Sequence, residues 1–388
     1  MKICHVITRL IVGGAQENTL LTCRGLAERG HDVTLIAGPE TGPEGSLWEQ
    51  AERFGGKLLR LASLRRAVHP VLDVRARVEL TRIFDRLGPD VVHTHSSKAG
   101  ILGRFAAARA GVPTIVHTIH GMSFNRTQGA LTRMAYRALE RRAARYTSHF
   151  VTVADAMIDQ SVAAGIAPRE RFVVIRSGLE VERFAPDARS RESSRKRWGV
   201  SGDEIVVGTV ARLFQHKGYE SILKAMPRMV AREPRLRFVW MGDGPHRKRY
   251  ERLLERIGLF DRVTFLGLVA PEAVAEAING FDMVLHASRW EGLPRAVVQG
   301  LLAAVPAVSF DIDGAGEVVV DNETGRLVRY GDVDGLADAV VALAGDSQQR
   351  RKLGLEGRAR CVAAFDWRKM VNELDALYAR LRTCATVR

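Results

Sequence analysis

The sequence predicts an α/β protein of two doubly wound domains, each a parallel sheet covered by helices, and three observations carry that expectation. Short apolar runs alternate with helical patterns of ~10–17 residues, the signature of strand–helix–strand units in a parallel sheet. The alternation is interrupted by a polar, charged stretch, ARSRESSRKRWG at 188–199, and then restarts. Glycines, prolines and charged residues gather where strands hand over to helices, the place where open α/β sheets bind ligands.

Taken in order, KICHVIT (2–8) reads as a strand, RLIVGGAQ as a glycine turn, and Glu17–Arg29 as a helix. Gly13 and Gly14 would bring backbone N–H groups toward a ligand at the helix start, or form a plain tight turn. The pattern is not the dinucleotide G-x-G-x-x-G, because no third glycine follows at the required distance. Strands are then expected at His31–Ala37, 57–62, Asp90–His95, Thr114–Ile119, Phe150–Ala154 and Phe172–Ile175. Helices near 46–54, 71–87, 98–110, 130–145 and 155–164 separate them. The second half offers strands at Glu204–Val210, Leu236–Met241, Val263–Gly267, Met283–Ala287 and Ala307–Phe310. Its helices fall at 218–232, 246–257 and 271–279, with a short one starting at Pro294 and further helices from 333 onward. The boundaries expected are 1–183, 184–365 and a terminal helical piece, 366–388. The two Rossmann-like halves would face one another across a cleft.

With 388 residues, 46% hydrophobic and 26% charged, the chain is an ordinary globular one rather than disordered or fibrous. No run approaches the ~18 apolar residues of a membrane-spanning helix, and MKICHVITRL reads as a strand rather than a leader, so a cytoplasmic protein is expected. Cys4, Cys23, Cys361 and Cys384 are widely spaced, without metal-ligand spacing, and fit thiols in a reducing compartment. An excess of 58 Lys and Arg over 44 Asp and Glu gives a net charge of +14. That suits an anionic partner: nucleic acid, anionic lipid or a diphosphate.

Four segments carry candidate chemistry. In HASRWEGLPRAVVQ (286–299), Glu291 sits where a helix begins, either as a cap or as a ligand group. GTVARLFQHKG (208–218) sets Arg212 after a strand and Lys217 before a helix, a spacing that lets a planar fork and a point charge converge on a diphosphate. GDGP (242–245) follows the next strand as a tight turn, and HTIHGMSF (117–124) ends a strand at His120. In HTHSSKAG (93–100), His93 and His95 share one face of a strand but show no third zinc ligand.

EGLPRAVVQ closely resembles the nucleotide-sugar motif of retaining family-4 glycosyltransferases, in which two acidic residues eight positions apart hold the donor; here the second position is Gln299. The resemblance extends over nearly the whole chain and includes exopolysaccharide and lipid-linked-oligosaccharide members. It implies the GT-B architecture, a last helix crossing back onto the first domain, and a UDP- or GDP-sugar donor with a saccharide or lipid-linked acceptor. It also implies that Arg212 and Lys217 neutralise the leaving diphosphate, that Glu291, Gly292 and Leu293 meet the sugar, and that His120 contacts the sugar from the other domain. The glycines Gly13, Gly14 and Gly242 would lie near the phosphates or nucleotide, and the backbone around Leu268 would pair with the base. The acceptor would give its proton to the leaving phosphate oxygen on the same face. No cofactor or metal is expected, since the cationic pair balances the diphosphate, and Asp311 and Asp313 read as loop residues rather than a metal-binding D-x-D.

Arg133, Arg137, Arg141, Arg142 and Arg145 recur at helical spacing, as a solvated face or as a surface resting on the anionic inner leaflet. Two rival functions remain. A nucleic-acid-binding protein would need a basic face interleaved with aromatics, which the sequence lacks. A nucleotide-sugar-binding protein with little or no catalysis is kept open by Gln299.

Overall fold

A computed structural model describes residues 1–40, 42, 44–124 and 128–386, with the side chains of 384–386 left aside. The chain divides into two compact units, Met1–Leu179 with Trp367–Arg388, and Glu180–Asp366. No helix among the described residues is long and apolar enough to cross a membrane.

The first unit opens with β1 (Lys2–Ile7), α1 (Gly14–Glu28), β2 (Asp32–Ala37), α2 (Trp48–Glu52) and β3 (Lys57–Arg60). It continues through α3 (Pro70–Leu87), β4 (Val91–His95), α4 (Ser97–Arg109), β5 (Thr114–Ile119), α5 (Ala130–Ala144), β6 (His149–Thr152), α6 (Asp155–Ala163) and β7 (Phe172–Val174). The sheet order is β3-β2-β1-β4-β5-β6-β7, and its paired strands run parallel. Helices on both faces explain why β4 and β5 are buried along their whole length, their histidines and threonines included.

In the second unit the elements are α7 (Ala188–Arg197), β8 (Ile205–Val210), α8 (Tyr219–Arg232), β9 (Leu236–Met241), α9 (Arg247–Arg256), β10 (Val263–Gly267), α10 (Val274–Asn279) and β11 (Met283–His286). They are followed by α11 (Arg295–Leu302), β12 (Ala307–Asp311), α12 (Ala315–Val318), β13 (Gly325–Arg329), α13 (Val333–Gly345) and α14 (Ser347–Phe365). The six-stranded order is β10-β9-β8-β11-β12-β13, again parallel. In each sheet the order reverses beside its first strand, between β1 and β4 and between β8 and β11. Such reversals leave a crevice at the carboxyl ends of the strands.

The last helix, α15 (Trp367–Thr386), belongs to the first unit. Trp367, Met370, Val371, Leu374, Leu377 and Tyr378 recur at helical spacing and are buried in the core that β1 and α1 also line. The fit against α1 is close: a Cβ on Gly25 would stand 2.7 Å from Val371. His31 and Arg29 add contacts to Asp375 at 2.9 and 3.3 Å.

Several local expectations change. The charged stretch at 188–199, which interrupts the apolar alternation, is itself largely helical: α7 occupies 188–197, capped by Asp187 and held by Arg191 and Arg195 on Asp282 at 2.6 and 2.8 Å. Ion pairs rather than an apolar stripe fix this helix, so hydrophobic periodicity could not reveal it; the units divide earlier, after Leu179. Strand β13 is hidden in the sequence because GRLVR has only two consecutive apolar residues, yet it pairs with β12 from Gly325 to Arg329 as a charged edge strand. Pro294 is the N-cap of α11 rather than its first residue, and α1 starts at Gly14, earlier than the apolar pattern suggested.

Candidate active site

The second unit's reversal point brings together two loops far apart in sequence. The loop after β8 carries Arg212 to Lys217, and the loop after β11 carries Trp290 to Leu293. Gly218 makes the approach possible: its φ is 79°, and a Cβ there would lie 1.7 Å from the carbonyl oxygen of Ala287. Only glycine fits that backbone. Arg289 N–H then donates to the His216 carbonyl at 2.8 Å, and the His216 ring stacks on Trp290 with centroids 4.6 Å apart.

At this junction the Lys217 ammonium meets the Glu291 carboxylate at 2.6 Å, both side chains being 19% exposed. The His286 Nε2 lies 3.5 Å from the same carboxylate oxygen, while its Nδ1 is 3.0 Å from Ser309 Oγ. Burial by itself would raise the Glu291 pKa, but the Lys217 charge and His286 overcome it and hold the carboxyl well below the usual range. Glu291 is therefore an anion at neutral pH. It does not cap α11, whose N-cap makes no side-chain hydrogen bond. Asp313 accepts the Glu291 backbone N–H at 2.7 Å from a left-handed position with φ 42°, which makes it a brace for the loop.

Arg212 is exposed on the same loop as Lys217, its guanidinium 5.8 Å from the Phe214 ring. Between the two cations stands His216, pushed down to about 4 by burial and then by the charges of Lys217 and Arg212. Gly242 and Gly244 pack on this loop, since a Cβ on either would lie within 2.1 and 2.5 Å of the carbonyl oxygens of Ala211 and Leu213. Their glycine character thus follows from close backbone packing. Gly292 and Leu293 are buried, Gln299 is half-buried on α11, and Leu268 is 50% exposed just beyond β10. A surface depression lined by Arg326, Asp332 and Asp338 lies elsewhere on this unit and includes none of these residues.

In the first unit, Gly13 is the N-cap of α1 with an extended φ of 175°, and Gly14 is the first helical residue. Gly13 therefore needs no left-handed freedom. Lys98 is paired with Asp73 at 2.6 Å, and Thr8 and Ser96 join their hydroxyls at 2.8 Å beside the β1–β4 reversal. His120 follows β5 and meets His95 at 3.1 Å. The sheet also supplies the third histidine that the sequence hid: His5 on β1 sits opposite His93 in register, and ring nitrogens of His5, His93 and His95 lie within 4.8 Å of one another. Most are already engaged. His93 contacts Tyr378 and Thr118, and His95 contacts His5 and His120.

The arginines of α5 separate into two groups. Arg137 and Arg141 donate to the carbonyl of Ala164 at the end of α6, at 3.3 and 2.9 Å. Arg133, Arg142 and Arg145 are exposed. The first two thus serve the unit's own packing, which helical spacing alone could not distinguish from a solvated face.

Sequence reasoning missed His216 and His286 as members of the cationic junction. His286, at the end of β11 and five residues before Glu291, gave a signal only in retrospect; His216 gave its place inside QHK between the two cations.

Residues 190–360 match the family model "Glycosyl transferases group 1", and residues 13–178 match "Glycosyl transferase 4-like domain". A UDP-Gal:alpha-D-GlcNAc-diphosphoundecaprenol alpha-1,3-galactosyltransferase from Escherichia coli is 27% identical, over 97% of this chain and 96% of its own. A GDP-mannose-dependent alpha-mannosyltransferase from Mycobacterium tuberculosis is 29% identical, over 96% of this chain and 94% of its own. Among solved structures, Anabaena HepE in complex with UDP-glucose superposes with a TM-score of 0.85 at 20% identity, covering 98% of this chain and all of that one (100%).

Proposed function

The chain belongs to the group 1 glycosyl transferases and has the GT-B fold, and from that premise we propose that it moves a sugar from a UDP- or GDP-sugar to a saccharide or lipid-linked acceptor in cell-surface glycan biosynthesis. One observation carries the donor half of this reading: Lys217 and Glu291 are joined at 2.6 Å at the reversal point of the second unit's sheet. Arg212 and Lys217 act on the diphosphate, countering the charge that builds as it departs. Glu291, held as an anion, accepts hydrogen bonds from sugar hydroxyls, with Gly292 and Leu293 supplying the loop backbone beside it. Gln299 meets the ribose, and the strand end at Leu268 the base. The reading gives His120 a sugar contact, the glycines Gly13 and Gly14 backbone N–H groups for a phosphate or acceptor, and the reaction a retained anomeric configuration. No divalent cation is needed, because two cationic side chains already stand at the loop, and Asp313 is engaged in bracing it.

The names of relatives support both donor classes, one using UDP-Gal and the other GDP-mannose, so the base is left to experiment. The test is a panel of labelled UDP- and GDP-hexoses offered with a saccharide-diphosphoprenol acceptor. Label passing from one nucleotide class into the lipid fraction is the expected result. A rise in melting temperature with UDP or GDP but no transfer to any acceptor would favour a nucleotide-sugar-binding protein instead. Absence of both transfer and stabilisation would end the proposal.

The same reading places the protein on an anionic membrane surface, where a lipid-linked acceptor is presented. Its support is a surface of the first unit on which cationic and apolar side chains mix. Arg133 and Arg142 stand out on α5 and Arg145 at its C-terminal end, with Leu131 79% and Met134 61% exposed, while α3, which packs on the same α4, exposes Val71, Val74 and Val78 at helical spacing. Apolar side chains amid basic ones suit an interface of headgroups and acyl chains.

A further inference from the structure

The two loops that meet at the second unit's reversal point are joined by charge and, one residue earlier on each, by rings. Lys217 and Glu291 form the ion pair at 2.6 Å, and the residues immediately before them, His216 and Trp290, stack with centroids 4.6 Å apart and an interplanar angle of 23°. The Phe214 ring stands edge-on to His216 at 4.8 Å, with 72° between the planes. Backbone bonds fix the same residue: Arg289 N–H donates to the His216 carbonyl at 2.8 Å, and Lys217 N–H donates to the Phe214 carbonyl at 3.0 Å. The imidazole is thus held from both loops through its ring and its main chain, while its ring nitrogens make no hydrogen bond among the described residues.

These neighbouring contacts respond differently to an anion. The ion pair spends the Lys217 charge on a carboxylate, and a diphosphate arriving beside Arg212 and Lys217 competes for the same ammonium while repelling Glu291. Lys217 cannot serve both at full strength. The stack is indifferent to that competition, because burial and then the charge of Lys217 push the His216 pKa down to about 4, with Glu291 opposing and Arg212 adding to the fall. At pH 7 a neutral ring therefore lies on the Trp290 indole, and an offset or tilted aromatic pair needs no charge to hold it.

We infer that His216 and Trp290 are positioning residues whose stacked rings keep the two loops in register with or without the Lys217–Glu291 ion pair, so that Lys217 is free to turn from the carboxylate to a diphosphate without the loops parting. The inference deepens, and for its ligand arm rests on, the reading of these loops as the diphosphate site. Holding the loops in advance of binding removes an ordering cost that the ligand would otherwise meet.

The first test needs no ligand. The full chain, labelled with 5-fluorotryptophan, carries five indoles, and the resonance lost in Trp290→Phe identifies Trp290. In His216→Ala that resonance should move away from its wild-type position, because the ring current of the stacked imidazole is gone. In Lys217→Met with Glu291→Gln, which has no ion pair, it should stay near the wild-type position. A shift there as large as in His216→Ala would show that the stack depends on the ion pair and would overturn the inference. The second test is calorimetry with UDP and GDP. His216→Ala should weaken binding of whichever nucleotide the wild type takes by about tenfold, the upper range for one aromatic pair, while His216→Phe, which keeps a ring but no ring nitrogen, should restore it. An Ala variant that binds as wild type does would mean that the stack positions nothing. A Phe variant as weak as the Ala variant would make His216 a ligand through its nitrogen and also overturn the inference. A wild type that binds neither nucleotide would refute the donor reading, and the fluorine spectra would still decide whether the stack stands without the ion pair.

Discussion

Replacing Lys217 by Met leaves Glu291 as a carboxylate without its cation in a site only 19% exposed, with His286 at 3.5 Å as its remaining partner. Removing one member of a fully buried ion pair costs about 3–5 kcal/mol; the exposed fraction lowers that to about 2–3 kcal/mol here. For a cooperative unit the size of Glu180–Asp366, about 1 kcal/mol shifts the midpoint by ~2–4 °C, so a fall of about 5–10 °C is expected by scanning calorimetry at pH 7. The sign of the pH dependence follows from Glu291. Its folded pKa is depressed, so it contributes stability that is fully present above the unfolded value of ~4.3 and is lost as pH falls toward the folded one. Without Lys217 the carboxyl is no longer held down, and burial raises it. The gap between wild type and variant should therefore be full at pH 7 and shrink below about pH 5. Lys217→Met with Glu291→Gln, which removes both charges, should recover most of the lost midpoint, while turnover in either variant falls by about 10²–10³. A gap independent of pH, or a double variant no more stable than the single one, would refute the argument.

Arg212→Ala should cost a similar ~10²–10³ in turnover, yet with a stability change within ~0.5 kcal/mol because the side chain is exposed; wild-type turnover would remove Arg212 from the diphosphate site. Transfer should persist in EDTA, and loss of activity restored by magnesium or manganese would bring Asp311 and Asp313 back as ligands. Gln299, the fifth residue of α11 and ~6 Å along its axis, should tighten nucleotide binding about tenfold as Gln299→Glu and loosen it as Gln299→Ala, read by calorimetry; an Ala variant that binds as wild type does would exclude a ribose contact. Sedimentation with anionic vesicles should weaken as salt rises, since screening acts over ~10 Å at 0.1 M, and Glu at Arg133, Arg142 and Arg145 should abolish it; equal binding to neutral vesicles would dismiss the electrostatic surface.

The alternation of strands and helices was legible over most of the chain, because a parallel sheet covered on both faces buries both sides of its strands. Strand Leu236–Met241 and strand Val263–Gly267 have the bounds the sequence suggests. Elements held by charge rather than by apolar burial escaped: α7, clamped to Asp282 through Arg191 and Arg195, shows only as a charged interruption until Asp282 is seen beside it. The candidate site was legible as separate motifs, since EGLP and the Arg–Lys spacing are local patterns. Their pairing was not: Lys217 and Glu291 stand 74 positions apart, and only the β8–β11 neighbourhood joins them. The same holds in the first unit, where His93 and His95 announced a shared strand face, but His5 lies 90 positions before His95. Side-chain spacing along a strand is local, so the sequence by itself determined which groups share a face. Which strands become neighbours is set by long-range packing, and that alone decided that three distant histidines form one hydrogen-bonded file and that a lysine and a glutamate form one ion pair.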